Sequence, residues 1–421
     1  MNRRGFIKNS TIALSVPLFL KGLSACNMHH HASSTTGKKI LVLVQLIGGN
    51  DGLNTLIPVQ NYKNLVAARR NLFIPENKIL PLNGTDALGL HPAFEGIRDM
   101  YNNDLISFVQ GVGFGNPTFS HFRATDIWMT GSPSKVLDTG WMARFLETRY
   151  KNYPEGFPCK NFPDPPGIKI GQGGSFLFQG HAMDMSVIIN PITGFQSPVV
   201  DIYGDGTESF ADIEMKDISK VLIQTQHYAK TLTSASKAPF SHSRMYPKKG
   251  ENALADQLQM VSTLINAGLQ TSVYMVDLKG FDTHEGQADP KNSTKGAHAD
   301  LLEKLSVAIT AFWDDVQHMG KADEVTGMVF SEFGRRIISN ASVGTDHGSS
   351  QPLMFFGGGI NPGMIGKIPE IPDKATDDDN VAMQYDFRSV YASVLKNWLN
   401  AEPSHIPDIL MGNFPEINIF R

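Results

Sequence analysis

The chain has 421 residues, 41% of them hydrophobic and 19% charged, with a formal net charge of −4. These values describe a globular protein with enough apolar material for a full core, and they argue against a nucleic-acid partner, which would call for a basic surface. Beyond the amino terminus no apolar run approaches the length of a bilayer span.

The amino terminus is read first and set aside from the fold. Arg3-Arg4 precede a short apolar segment, Ile12 to Leu20, in the manner of a twin-arginine export signal. The segment closes with Leu23-Ser24-Ala25-Cys26, which resembles a bacterial lipobox with Cys26 as the lipid acceptor. Residues 1–26 are thus expected to be a lipoprotein signal, and the mature protein to be membrane-anchored, in the periplasm or on the cell surface. With Cys26 acylated only Cys159 remains, so no internal disulfide is expected, and Cys159 reads as a structural loop residue. Residues 27–38 are small and polar and read as a flexible tether, in preference to weak metal binding by His29-His30-His31. The twin-arginine route carries folded proteins, so a metal could be loaded before export.

From residue 39 to 421 short β-branched runs alternate with amphipathic helical ones, which predicts one α/β domain: a doubly wound, mainly parallel sheet with helices on both faces. In chain order the expectations are a strand at Ile40 to Leu46, a helix after Pro92, and a strand at Leu105 to Val109. Helices follow from near Ser120 to Trp128 and from Trp141 to Tyr150. A Pro- and Gly-rich stretch near 151–200 reads as loops with short strands. Helical patterns then cover Asp212 to Leu232 and Leu254 to Ala267, with a strand at Ser272 to Val276 and a helix from about His298 to Gln317. Strands at Val325 to Phe330 and Leu353 to Phe356 precede a final helix, Phe387 to Leu399, capped by Asp386.

The chemistry sits where strands end. Gly344-Thr345-Asp346-His347-Gly348 pairs a carboxylate with an imidazole between flexible residues, suited to one cation or two adjacent ones. The first strand runs into Gly48-Gly49-Asn50-Asp51-Gly52, where glycines allow close approach and Asp51 can hold a divalent cation or close a tight turn. The strand at 272–276 runs into Phe281-Asp282-Thr283-His284, where Asp282 and His284 point the same way only in extended backbone. Open α/β sheets gather such strand ends into one crevice. Thr118 and Ser120 precede a helix, at the positive end of its dipole, and are candidate nucleophiles; His121 is a possible ligand or base. Arg335, after another strand, is positioned in sequence to grip a phosphate, sulfate or carboxylate.

Taken in order, Leu46-Ile47-Gly48-Gly49-Asn50-Asp51-Gly52-Leu53-Asn54, Leu90-His91-Pro92, Ser120-His121-Phe122, Gly140-Trp141, Ser331-Glu332-Phe333-Gly334-Arg335 and Gly344-Thr345-Asp346-His347-Gly348 resemble the domain-of-unknown-function-1501 family. That family is often exported by twin-arginine signals and is grouped with the alkaline-phosphatase-like superfamily. The resemblance implies a pair of divalent cations (Zn, Mn, Mg or Ca), with Asp51, Asp282, His284, Asp346 and His347 as ligands and Ser120 or Thr118 as nucleophile. Two departures stand out. Asp282 and His284 are separated by one residue rather than three, and the superfamily's later histidine has no counterpart except His405, so either one metal site is incomplete or His121 or His91 substitutes. Cys159 lacks the Pro and Arg of a sulfatase formylglycine signature. The implied function is a metal-dependent hydrolase of phosphate or sulfate esters, acting on a small-molecule or glycan ester. The alternative is a non-catalytic protein that keeps the fold and binds a glycan or anion.

Overall fold

The computed structural model describes residues 38–195, 226 and 228–421. The expected signal, the tether up to residue 37 with Cys26 and His29 to His31, and most of the helix expected from Asp212 lie outside the described residues.

Strand β1 (Ile40–Ile47) is the centre of the main sheet, as its sequence demands. Alternate residues serve opposite faces: Ile40, Val42, Val44 and Leu46 enter one apolar cluster, and Leu41 and Leu43 enter another. The flanking strands are β5 (Ile106–Gly113), β6 (Gly167–Ile170), β7 (Ser186–Ile189), β8 (Val273–Lys279), β9 (Val325–Ser331), β10 (Gln351–Gly357) and the short β11 (Gly363–Ile365). Their order is β11-β5-β10-β9-β1-β8-β6-β7, with β12 (Tyr385–Asp386) beside β5. Strand β10 runs antiparallel to both neighbours, β9 and β5; the remaining pairs are parallel. Runs such as Val325–Ser331, buried at every position, are what a sheet covered on both sides requires.

Helices cover both faces, and the expected doubly wound, mainly parallel architecture is borne out. On one side lie α3 (Glu95–Asn102), α6 (Ala253–Asn266) and α7 (Ala297–His318), which send Ile97, Leu258 and Leu305 into the first cluster. On the other lie α4 (His121–Thr130), α5 (Trp141–Arg149) and α8 (Phe387–Ser393), which contribute Trp128, Phe145 and Tyr391. Asp386 caps α8 as expected, accepting from the Arg388 amide at 2.9 Å; the helix then widens into a π turn over Val394–Trp398 rather than running straight to Leu399.

One layer was not anticipated. Residues 52–90 form α1 (Gly52–Thr55), α2 (Tyr62–Ala68) and a three-stranded antiparallel sheet of β2 (Leu56–Ile57), β3 (Leu80–Leu82) and β4 (Thr85–Leu90). These strands are short, and β3 carries Pro81, which removes a ladder donor and hides the strand from pattern reading. No helix among the described residues is long and apolar enough to cross a membrane.

Candidate metal centre

The carboxyl ends of β1, β8, β9 and β5 point to one edge of the sheet, and the loops leaving them converge. His121 is the first residue of α4, after β5. Asp282 and His284 follow β8, Glu332 and Arg335 follow β9, and His347 is bridged to Arg335 by an antiparallel pair.

Each of three imidazoles is held through Nδ1 by an oxygen. His121 Nδ1 lies 2.8 Å from Glu332 Oε1, His284 Nδ1 2.9 Å from Asp346 Oδ1, and His347 Nδ1 2.7 Å from the Phe119 carbonyl. Carboxylates and carbonyls only accept, so each Nδ1 carries a proton, and in the neutral ring each Nε2 then presents a lone pair. Those lone pairs meet around Asp282. His284 Nε2 and His347 Nε2 are 2.9 Å apart and lie 3.2 and 3.1 Å from Asp282 Oδ1; His121 Nε2 is 3.3 Å from Asp282 Oδ2 and is buried without a hydrogen-bond partner. Two facing lone pairs repel unless a proton or a cation lies between them.

His121, Asp282 and His347 offer ligand atoms within 4.8 Å of one another, a group able to hold a metal ion, and His284 Nε2 adjoins two of them. A cation about 2.0–2.2 Å from each donor keeps the donors roughly 3 Å apart, so the residues present fit a divalent ion. Oxygen partners on the far ring nitrogens are the support that metal-ligating histidines need. Burial holds the His347 imidazole below its ordinary value, helped by the charges of Arg335 and His121 and opposed by hydrogen bonds to Asp282 and the Phe119 carbonyl. Burial would raise the Asp282 carboxyl, but hydrogen bonds from Arg335 and His347 and the charges of Arg335 and His121 prevail, taking it down to about 2. Asp282 is therefore ionised at neutral pH.

Three expected roles are redirected. Asp51, expected among the ligands, is fully buried and its oxygens are occupied: Arg69 Nη1 donates to both at 2.8 and 2.6 Å, Gln287 donates to Oδ2 at 2.6 Å, and the Asn54 amide caps on Oδ1 at 3.4 Å. It stands one layer behind the cluster, joined to it through Gln287, whose Oε1 accepts from Thr283 and Thr345 at 3.0 and 2.7 Å. Asp346 orients His284 rather than meeting the other ligands, and also accepts from Asn340 at 3.3 Å. Arg335, expected to grip an anion, is 1% exposed. Its guanidinium donates to the carbonyls of Gly49 (2.7 Å), Thr345 (2.7 Å), Phe281 (3.0 Å) and Gly48, and to Asp282 at 2.9 Å. It therefore has little left for a substrate.

The hydroxyl candidates differ. Thr118 is half-buried and accepts from the Ser120 amide at 3.3 Å. Ser120 is exposed, and its hydroxyl makes no capping bond at the start of α4. It lies between Phe119, which holds His347, and His121. Neither His91 nor His298 joins the cluster: His91 accepts from the Ala93 amide at 3.1 Å, and His298 lies 3.0 Å from Asn50 Oδ1.

Sequence reasoning missed Glu332, Arg69 and Gln287. Glu332 carried a signal, an acidic residue directly after a strand buried at every position; it is 1% exposed and also accepts from the Gly48 amide at 2.8 Å. The loops pack main chain to main chain. Gly48 has φ +124°, and a Cβ there would stand 2.3 Å from the Asp282 nitrogen; one at Gly344 would stand 2.1 Å from the His284 carbonyl oxygen.

The family model described as Protein of unknown function (DUF1501) matches residues 207–396, bearing out the family expected from the motifs and covering Asp282, His284, Glu332 and His347. Among solved structures the chain is similar to a Vibrio parahaemolyticus protein in the alkaline phosphatase superfamily, at TM-score 0.37 and 12% identity over 79% of this chain and 64% of that one. It thus spans less than two thirds of that protein. It is also similar to a Bacteroides thetaiotaomicron protein of a locus for the metabolism of multiple glycosaminoglycans (TM-score 0.42, 10% identity, 90% and 76%). A third similarity is to the PsFucS1 sulfatase of a Pseudoalteromonas species (TM-score 0.37, 12% identity, 91% and 71%). No curated protein matches the sequence.

Proposed function

We propose that this DUF1501 chain is an exported, lipid-anchored hydrolase of phosphate or sulfate esters that works with one divalent cation. The observation that carries the reading is the convergence of three Nε2 lone pairs on the ionised Asp282, each imidazole fixed from behind by an oxygen. His121, Asp282, His284 and His347 would hold the ion. Three nitrogens with one oxygen suit Zn, and after it Mn, better than Mg or Ca, which prefer all-oxygen shells. One ion rather than two fits Asp51, whose charge is already met by Arg69. When bound, the ion would polarise the ester and offset charge that builds up on its oxygens.

The chain's own groups do the rest. Ser120 supplies the attacking hydroxyl, exposed and uncommitted at the positive end of a ten-residue helix. A bond forms from Ser120 Oγ to phosphorus or sulfur as the bond to the leaving oxygen breaks, and the proton lost by Oγ ends on that leaving oxygen; water then bonds to phosphorus or sulfur as the bond to Oγ breaks, one of its protons returning to Oγ as the acid departs. Asp346, Glu332 and the Phe119 carbonyl keep the imidazoles in the required tautomer.

Turnover of aryl phosphates and aryl sulfates by the zinc-loaded chain tests the assignment. Ser120→Ala should lower turnover by about 10³-fold or more with metal content unchanged, whereas Thr118→Ala should cost little. Loss only in Thr118→Ala would move the nucleophile. No metal-dependent turnover by the native chain over a broad ester panel would favour the non-catalytic glycan- or anion-binding alternative. The anchor rests on Leu23-Ser24-Ala25-Cys26 behind Arg3-Arg4; Cys26→Ser should shift the protein from the membrane fraction to the soluble one, and unchanged fractionation would refute it.

A further inference from the structure

A charged ester needs a donor beyond the cation, and the guanidiniums packed around the cluster are largely committed elsewhere. Arg335 is bonded to four carbonyls and Asp282. Arg69 is bonded to Asp51, Asn54 and the carbonyls of Ile337 and Arg336. Arg123, in the first turn of α4, is taken by Asp126 and the carbonyls of Ser132, Pro133 and Lys135. We infer that Arg336 is the residue that recognises the substrate's charged oxygens, a specificity role that rests on the hydrolase reading above.

Its main chain is fixed on both sides. The Arg336 amide donates to the Asp346 carbonyl at 3.0 Å, and its own carbonyl accepts from Arg69 Nη2 at 2.7 Å. Its side chain is half-buried at the rim. There Nε donates to the carbonyl of the ligand residue His347 at 3.3 Å, and Nη1 donates to the Asp377 carbonyl. The guanidinium carbon sits 5.8 Å from the centroid of the Phe119 ring, and it is Phe119 whose carbonyl holds His347. Among the described residues Nη2 meets no acceptor.

The outcome is a planar cation held by the carbonyls of His347 and Asp377 and an aromatic face, with one nitrogen and its two N–H bonds free. A tetrahedral oxyanion can take both N–H bonds. Partial burial makes that contact stronger than it would be in open water. Lysine could not reproduce it, since a single ammonium cannot hold two carbonyls, lie over the ring and still offer a fork. The recognised class is a phosphate or sulfate monoester rather than a neutral ester.

Calorimetric titration of the zinc-loaded full chain with inorganic phosphate, and separately with sulfate, tests this without relying on turnover. Arg336→Ala should bind the anion at least tenfold more weakly with zinc content unchanged, and KM for aryl esters should rise by a similar factor while kcat changes less. Arg336→Lys, which keeps charge and fold if the alanine variant is unstable, should remain at least threefold weaker than the native chain. Native-like phosphate and sulfate affinity in either variant overturns the inference. So does loss of zinc in a folded variant, because Arg336 would then act through His347. A native chain that binds neither anion overturns the hydrolase reading itself.

Discussion

Two aspartates close neighbouring parallel strands in this sheet, Asp51 after β1 and Asp282 after β8, and by sequence they are equivalent candidates. Asp51 is 1% exposed and saturated by Arg69, Gln287 and its own helix turn. The Asp282 side chain is 48% exposed and faces three imidazole nitrogens. One carboxylate holds two loops together; the other takes one bond from Arg335 and otherwise faces imidazole nitrogens. What separates a structural carboxylate from a candidate ligand is thus what else reaches its oxygens. Neither residue type nor position after a strand decides that.

The largest effect should come from breaking the buried partner. Arg69→Met leaves the Asp51 charge buried and unpaired, and is expected to cost about 3–5 kcal/mol in urea denaturation, with Asp51→Asn on top restoring part of it. A loss below about 1 kcal/mol would show that this pair does not anchor the region. Next comes acid. Burial, with repulsion from His298, lowers His91 to about 3, and burial, with the charges of Arg69 and Arg335, lowers His298 to about 4; Asp51 opposes both shifts. Both values lie below the ordinary 6.5, so between about pH 6.5 and pH 4 the unfolded chain binds protons that the folded chain rejects. Stability should therefore be complete above about pH 6.5 and fall as pH drops through that window, by on the order of a few kcal/mol. Denaturation curves at pH 7 and 4.5 check this, and His298→Asn should flatten the difference; an equal slope in the variant would assign it elsewhere. The smallest effect belongs to the support of the Asp282 cluster. Glu332→Gln removes the charge behind His121 and should weaken zinc binding about 10–100-fold with little change in fold, read by competition with a chelator.

The same contrast explains what could be read in advance. The parallel core was legible because β1, β5, β8 and β9 are apolar on both faces and α6 and α7 repeat at helical spacing, so local pattern and tertiary burial agree. His121, Asp282, His284 and His347 were legible as residue types at strand ends. Arg69 was not, because it lies in an unforeseen layer and finds Asp51 through folding of residues 52–90 rather than through any spacing. Arg335 was misjudged for the reverse reason: a strand-end arginine in a motif suggests recognition, and only the three-dimensional set of carbonyls around it shows that it is a bracket between loops.

The glycine contacts between those loops have a consequence for how binding would be felt. Because Gly48 abuts the Asp282 amide and Gly344 abuts the His284 carbonyl, the candidate ligand positions are cast from main chain against main chain, where no rotamer can yield. Ordering of the loops is thus completed during folding and is not left for the moment of capture. A cation arriving there should release solvent while leaving amide exchange in residues 281–284 and 344–347 almost unchanged, as in a lock already cut. A Gly48→Ala chain should lose that property first, long before it loses its fold.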